Sequence, residues 1–307
     1  MASLLRLGTR GSPLALAQAE ETRSRLLAAH PALGPDAIEI VPIRTSGDRP
    51  SSRTLAEEGG KGLFTKEIEE ALLSGAIDLA VHSLKDMPTE LPPGLALAAC
   101  LPREDPRDAL IASGGAGSLA DLAPGAVVGT ASLRRTAQLL HCRPDLVIVP
   151  MRGNVGTRLR KLADGEVAAT VLAVAGLRRL GQAQCISCVL EPDVMLPSAG
   201  QGIIAVECRA ADTRTRALAT TIDDFDAHTA AEAERALLAA LDGSCRTPIG
   251  ALAILAQGRV VLDAMVIRPD GKAIYRTRRD GTAAEARAMG LDAGAELRGR
   301  AGADLFA

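Results

Sequence analysis

The sequence predicts three folding units, of which two are α/β units and the third is a smaller α+β unit. Short apolar stretches alternate with amphipathic helical patterns over roughly the first 220 residues, which is typical of sheets covered by helices. From about Asp223 the pattern changes to one long helix and three strands joined by short turns, which predicts a three-stranded antiparallel sheet. A chain of 307 residues with 47% hydrophobic side chains is long enough to form several cores.

The first unit opens with a strand and then a helix whose start is well marked. Ser12 at the N-cap and Pro13 at the first helical position form a coherent start signal. The elements predicted for this unit are a strand at Leu4–Leu7, the helix from Ser12, a helix that carries Phe64, Ile68 and Leu72 on one face and ends at Gly75, and a buried strand at Ile77–His82.

Two proline-containing segments mark the crossings between the first two units. Leu101–Pro106 leads into the second unit, and Pro197–Gly202 precedes a strand, Ile203–Cys208, that is expected to return to the first unit. The predicted units are residues 1–101 with 202–220, residues 102–201, and residues 221–307. The other predicted elements are strands at Val127–Thr130, Leu146–Val149 and Val167–Val174, each followed by a helix, then a helix at Ala227–Leu241 and strands at Ala251–Ala256, Val260–Ile267 and Lys272–Thr277.

Composition excludes several classes of protein. The net charge is −2, there is no tryptophan, and only one tyrosine and three phenylalanines are present, so a base-stacking surface for nucleic acid is not expected. The most membrane-like stretch, Val167–Leu177, is shorter than the ~20 residues of a spanning helix. The N-terminal residues form no apolar signal core, and the six cysteines follow no disulfide or zinc pattern. We therefore expect a cytoplasmic protein with reduced thiols and no membrane partner.

The arginines are placed unevenly. Coding bias could explain the excess of arginine over lysine, but it would not by itself place a net charge of +6 in residues 130–180 of a chain of net charge −2; a solvated basic face is the alternative explanation. Ser132 as an N-cap places Arg134 and Arg135 in a first helical turn, where cations oppose the helix dipole and favour a nearby anion. Arg152–Arg158 repeats this arrangement, and Arg10 lies in the corresponding loop of the first unit. The pattern predicts a cleft that binds several carboxylates or phosphates.

Two further side chains are candidates for chemistry. Asp86 follows a buried strand and precedes a proline, and in a basic cleft its carboxylate could stabilise a transient cation, although a structural role is the alternative. Cys245 lies in a turn beside Arg246, a cation that favours the thiolate. His82 fits a buried core histidine better than a base. The Gly59–Gly62 segment lacks the spacing of a phosphate-binding loop.

Five motifs, in this order, resemble those of the porphobilinogen deaminase family. They are Val81–Asp86, Gly129–Arg135, Arg152–Arg158, Val174–Leu180 and Glu234–Gly250. The resemblance implies two α/β units like those of periplasmic anion-binding proteins and a small third unit that carries the cofactor cysteine. It also implies a transferase that joins four porphobilinogen molecules head to tail, releases ammonia and forms the linear tetrapyrrole hydroxymethylbilane. A monomer is expected.

The resemblance also assigns site residues. It implies a dipyrromethane cofactor bound through a thioether to Cys245, and it implies that Asp86 contacts pyrrole N–H groups and stabilises the cationic azafulvene. The residues matched to substrate or cofactor binding are Arg10, Ser12, Lys85, Thr130, Ser132, Arg134, Arg135, Arg152, Gly153, Arg158 and Arg179, with Gln18 and Phe64 as walls of the site. Two positions depart from many relatives: Glu57 stands where lysine is common, and Ala131 replaces a frequent serine.

Two other functions are compatible with parts of the sequence. A non-catalytic two-unit protein that binds a polycarboxylate or another anion would explain the arginines, but it would carry no covalent adduct. A thiol redox enzyme that uses Cys185 and Cys188 would not depend on Cys245. The mass of the purified chain separates both alternatives from the transferase.

Overall fold

Three sheets organise the chain in the computed structural model, which describes residues 5–48, 64–241 and 247–302. In chain order the elements are β1 (Leu5–Arg10), α1 (Pro13–Ala29), β2 (Ile38–Ile43), α2 (Lys66–Leu73), β3 (Leu79–Ser83), β4 (Leu95–Cys100), β5 (Asp108–Ala112), β6 (Val127–Gly129), α3 (Leu133–Cys142), β7 (Val147–Val149), α4 (Val155–Ala163), β8 (Ala169–Ala173), α5 (Val174–Arg179), β9 (Cys188–Leu190), β10 (Ile204–Arg209), α6 (Thr213–Thr220), α7 (Phe225–Ala240), β11 (Ile249–Ala256), β12 (Arg259–Ile267), β13 (Ile274–Thr282) and α8 (Ala286–Ala301).

The first sheet has the order β2-β1-β3-β10-β4. Strands β1, β2 and β3 are parallel, whereas β10 runs antiparallel to both β3 and β4. Leu7 and Leu79 of the sheet pack with Leu26 of α1 in one buried cluster. The strand predicted at Ile203–Cys208 is therefore confirmed as a return into this sheet, because it forms β10.

The second sheet has the order β7-β6-β8-β5-β9. Each of the three predicted strands is present and is followed by a helix, as expected. The side chain of Ser132 accepts a hydrogen bond from the Arg135 N–H and caps α3. Asn154 caps α4 in the same way through the Thr157 N–H. Both helices therefore start at a strand end, which brings the arginine-rich turns to one edge of the sheet.

The third sheet, β11-β12-β13, is an antiparallel meander, and α7 and α8 pack together against it. The two helices approach closely at Gly290, where an added Cβ would lie 2.1 Å from the Ala233 carbonyl oxygen. The predicted fold class, two α/β sheets and a small α+β part with three antiparallel strands, is confirmed.

Some element limits differ from the prediction. Helix α2 begins at Lys66, so Phe64 lies before the helix and not on its apolar face. The sequence analysis did not predict strands β2, β4, β5 and β9, because a short apolar stretch alone does not show that it forms a strand. It did not predict helix α8 either. Across the described residues, no helix is long and apolar enough to cross a membrane.

Candidate active site

One cleft lies where strands β1 and β3 of the first sheet end. Its lining includes Arg10 and Ser12, Gln18 of α1, Ser83, and Asp86 at the end of the short turn Leu84–Asp86. The Gln18 amide donates to Ser83 Oγ at 2.9 Å. These contacts fix the wall of the cleft and leave the Asp86 side chain exposed to it.

An aromatic ring forms part of the same wall. The guanidinium carbon of Arg10 lies 4.2 Å from the centre of the Phe64 ring, which is a cation–π contact. Phe64 therefore reaches the cleft although it lies outside α2. The contact explains how one of the few aromatic side chains of this chain supports a basic group.

The predicted arginine pair of α3 is buried and binds one carboxylate of the protein. Arg134 Nη2 donates to Asp108 Oδ2 at 2.7 Å, and Arg135 Nη2 donates to Asp108 Oδ1 at 2.7 Å. Arg134 also donates to the Leu196 carbonyl, and Arg135 to the Val171 carbonyl. The sequence analysis predicted an anion beside these two arginines and assigned it to a ligand. In the structure, Asp108 at the start of β5 supplies part of that negative charge.

The charges of this cluster do not cancel. Asp108 is 0% exposed, and the two guanidiniums outweigh the cost of its burial and hold its pKa well below its usual range. Burial lowers the pKa of Arg134, mainly because the charged form loses water. Two guanidiniums pair with one carboxylate, so the cluster keeps one net positive charge.

Lys85 joins this cluster from the first sheet. Its ammonium donates to Gln201 Oε1 at 3.2 Å. The side chain as a whole is exposed, but the protein around its ammonium removes part of the hydration of that group. This desolvation, together with the positive charge of Arg135, lowers the pKa of Lys85 to about 8. Charged residues of the second sheet thus act on the pKa of a residue that follows β3 of the first sheet.

The turn before α4 contributes further cations. Arg158 Nε donates to the Gly153 carbonyl at 2.9 Å, and desolvation together with the charge of Arg135 lowers the pKa of Arg158 to about 10, although Asp86 opposes the shift. Arg152 is half-buried in the same turn. Gly153 has φ of +114°, and an added Cβ would lie 2.8 Å from Thr157 Cγ2, so this turn requires glycine.

Two predicted binding residues make internal contacts. Thr130 is buried, and its hydroxyl accepts a hydrogen bond from the Ser132 N–H at 3.2 Å. The Ser132 side chain caps α3, as described above. The structure thus gives both hydroxyls a part in shaping the turn before Arg134 and Arg135.

Arg179 joins the two α/β sheets. Its Nε lies 3.2 Å from Glu21 Oε2 of α1, and its Nη2 donates to the Gly202 carbonyl at 3.0 Å. The side chain is almost buried. In this structure Arg179 therefore connects α5 to α1 and to the segment that crosses between the sheets.

Cys245 lies outside the described residues, as does Glu57. The elements on either side of Cys245 are described, and both are anchored by one buried carboxylate. Glu234 of α7 accepts from the Ala253 N–H of β11 at 2.7 Å and from the Gly200 N–H at 2.6 Å, and it pairs with Arg103 at 2.6 Å. The segment that carries the cysteine therefore begins and ends on elements that are fixed to the crossing segments.

Sequence reasoning missed Asp108, Gln201, Glu234 and Arg103. A signal for Asp108 was present, because a charged residue at the start of an apolar strand needs a buried partner. The partners of Asp108 lie 26 and 27 residues away in sequence, and Gln201 lies 93 residues away. No local pattern connects positions at such separations.

The comparisons with known proteins agree along nearly the whole chain. Residues 5–217 match the family model described as porphobilinogen deaminase, dipyromethane cofactor binding domain, and residues 228–299 match the model of the porphobilinogen deaminase C-terminal domain. A porphobilinogen deaminase of Paracoccus denitrificans is 56% identical over 302 residues, which cover 98% of this chain and 96% of that protein. One of Nitrobacter winogradskyi is 55% identical over 303 residues, covering 99% and 95%.

Among solved structures, the periplasmic VFT2 domain of Bordetella pertussis BvgS is similar, with a TM-score of 0.42, 14% identity, and coverage of 71% of this chain and 86% of that chain. The fold and the site of the present chain define an α/β protein with a cleft at the ends of β1 and β3, and a cluster of charged residues from both five-stranded sheets adjoins Asp86 of this cleft. The chain belongs to the porphobilinogen deaminase family.

Proposed function

We propose that this chain is a transferase that joins four porphobilinogen molecules head to tail, releases ammonia and forms hydroxymethylbilane. The observation that carries the proposal is the group of cations beside the exposed Asp86: Lys85 and Arg158 interact with its carboxylate, and Arg134 and Arg135 lie close enough to Lys85 to act on its charge. Each pyrrole ring of the substrate carries an acetate and a propionate, so a growing chain is a polycarboxylate. Arginine forks and an ammonium are the donors that bind such groups.

The residues present also suit a dipyrromethane cofactor. Its rings carry the same carboxylates, and desolvation together with the charge of Arg135 lowers the pKa of Lys85 and of Arg158, so an anionic group bound beside these cations would stabilise their charged forms. We assign Arg10, Ser12, Lys85, Thr130, Ser132, Arg134, Arg135, Arg152, Gly153, Arg158 and Arg179 to the binding of cofactor and substrate, with Cys245 as the attachment site. When bound, the cofactor supplies the free ring carbon to which the first substrate unit is joined.

Asp86 performs the central electrostatic step. As the C–N bond of porphobilinogen breaks, the electron pair leaves with nitrogen and positive charge develops on the pyrrole. The exposed Asp86 carboxylate can accept the pyrrole N–H and stabilise this charge. The ring carbon of the chain end then forms the new C–C bond and gives up its proton to solvent, so each condensation releases one ammonia. When the finished tetrapyrrole is released, water supplies the hydroxyl of the product and a proton to the ring carbon from which the tetrapyrrole separates.

We also infer unit boundaries near residues 101, 201 and 220, and the membership of β10 in the first sheet supports them. We propose a cytoplasmic monomer that does not bind nucleic acid. The described cysteines are all free thiols, which is consistent with a reducing compartment.

The test is turnover by the purified chain supplied with porphobilinogen, with ammonia and linear tetrapyrrole measured together. We expect both products in a ratio of four ammonia to one tetrapyrrole. Porphobilinogen binding without ammonia release would instead support the non-catalytic anion-binding protein, which family membership disfavours. Activity that needs a dithiol and survives replacement of Cys245 would support the redox alternative.

A further inference from the structure

A row of hydrogen bonds runs from the buried arginine pair of the second sheet to the exposed Lys85 of the first sheet. Asp108 Oδ1, which binds Arg135, also accepts from Gln201 Nε2 at 3.0 Å. Gln201 Oε1 accepts from the Lys85 ammonium at 3.2 Å. Gln201 lies in the segment that crosses back to the first sheet, so one side chain connects cations from two sheets.

The orientation of the Gln201 amide is fixed on both sides. The side chain is 1% exposed, and its Nε2 also donates to the Pro106 carbonyl at 2.7 Å. The nitrogen must face the Asp108 carboxylate, because only a donor can bind there, and the oxygen must face the Lys85 ammonium. A glutamate or an apolar side chain cannot satisfy both neighbours.

The backbone around Gln201 is also packed against the Lys85 turn. The Leu84 N–H donates to the Ile203 carbonyl at 3.0 Å. At Gly200, an added Cβ would lie 3.0 Å from the Lys85 backbone nitrogen. The crossing segment therefore fixes the backbone of the turn as well as the end of the Lys85 side chain.

We propose that Gln201 is a positioning residue that holds the Lys85 ammonium at a set place relative to the Arg134–Arg135–Asp108 cluster, so that the cleft presents its cations at the spacing of the substrate carboxylates. This inference rests on the proposed function and assigns to it a residue that is not among the matched motifs. Gln201 acts through Lys85, and Asp108 acts through the two arginines.

The charges that face Lys85 set the expected response. Asp86 in its own turn and Asp108 of β5 favour the ammonium, whereas Arg135 and Arg134 of α3 disfavour it. Loss of the Gln201 oxygen removes one further group that stabilises the charged form. The ammonium should then lose its proton at lower pH.

The first test follows the titration of Lys85 by NMR in protein labelled with ¹³C-lysine, which is practical because the sequence has five lysines. The Lys85 signal is assigned with Lys85→Arg. In Gln201→Leu we expect the titration midpoint of Lys85 to fall by about one pH unit. The control is Gln138→Leu, which removes another buried glutamine whose side chain binds the backbone of Arg134 and Leu196, and it should leave the midpoint unchanged.

The second test is a double-mutant cycle on kcat/KM for porphobilinogen. Gln201→Leu alone should lower kcat/KM about tenfold, but it should have no further effect in a Lys85→Met background. Additive losses together with an unchanged Lys85 titration would overturn the proposal. Gln201→Asn, which keeps the amide but shortens its reach, is used in the same cycle if the leucine variant fails to fold. Because the titration needs no turnover, its result is separate from that of the proposed function.

Discussion

At the scale of single residues, two carboxylates in or near the cleft have different surroundings. Asp108 is buried and satisfied by two arginines, whereas Asp86 is exposed on the cleft wall. The first carboxylate has its charge neutralised by the protein, and the second is available to a ligand. We therefore propose a structural role for Asp108 and a chemical role for Asp86.

Asp86→Asn should abolish turnover while the chain still folds and still carries its adduct. The amide keeps the size of the carboxylate but loses the negative charge that stabilises the developing cation. Ammonia release measures the effect, and Asp164→Asn, at an exposed position that ends α4, is the matched control. Ammonia release by Asp86→Asn at the rate of the unmodified chain would refute the role of Asp86.

Asp108→Asn should destabilise the chain by about 3–5 kcal/mol, because it leaves two buried guanidiniums without their carboxylate. The free energy of unfolding in urea measures this loss. Asp145→Asn, which breaks the more exposed pair with Arg143, should have little effect. Equal losses in the two variants would show that the buried cluster does not stabilise the fold.

A second buried group gives a pH-dependent prediction. Glu69 is 6% exposed, and burial together with the charge of Glu207 raises its pKa. Because the pKa of Glu69 is higher in the folded state than in the unfolded state, protonated Glu69 stabilises the folded protein. This stabilisation is fully present below the pKa of Glu69 in the unfolded chain and is lost as pH rises through its pKa in the folded protein. Glu69→Gln should therefore raise Tm at pH 8 and leave it almost unchanged at pH 4. An equal change in Tm at the two pH values would contradict this.

At the scale of elements, strand ends and helix starts place the site residues. The starts of α1 and α3 could be predicted from Ser12 and Ser132, because a cap is a local signal. The position of Phe64 could not, since α2 begins only at Lys66. The Asp108 and Gln201 contacts could not be predicted either, because they depend on how separate elements meet.

The turn at Gly200 shows how the backbone of a crossing segment positions the turn that carries Lys85. Gly200 has φ of +72°, and an added Cβ would lie 2.9 Å from Leu84 Cγ. Gly200→Ala should therefore lower both stability and kcat/KM, because backbone strain of about 1–3 kcal/mol is combined with displacement of the Lys85 turn. The control is Gly181→Ala, which also has positive φ, but an added Cβ there meets nothing within 4 Å. Equal effects on kcat/KM would show that the contact with the turn is unimportant.

At the scale of the whole molecule, the three sheets meet around the crossing segments. Arg103 of one crossing segment pairs with Glu234 of α7, and Glu234 also binds the Gly200 N–H of the other crossing segment and the Ala253 N–H of β11. Arg179 links α5 to α1. The family resemblance could be stated from five motifs in the sequence, but these junctions became visible only in the fold.

The central claim is that the chain works with a covalent primer on Cys245, and the mass of the intact purified protein tests it most directly. We predict a mass above that of the sequence by one dipyrrole, and loss of this excess together with turnover in Cys245→Ser. Cys142→Ser, at an exposed cysteine of α3, should keep both the excess mass and the activity. An active chain with the unmodified mass would contradict the account.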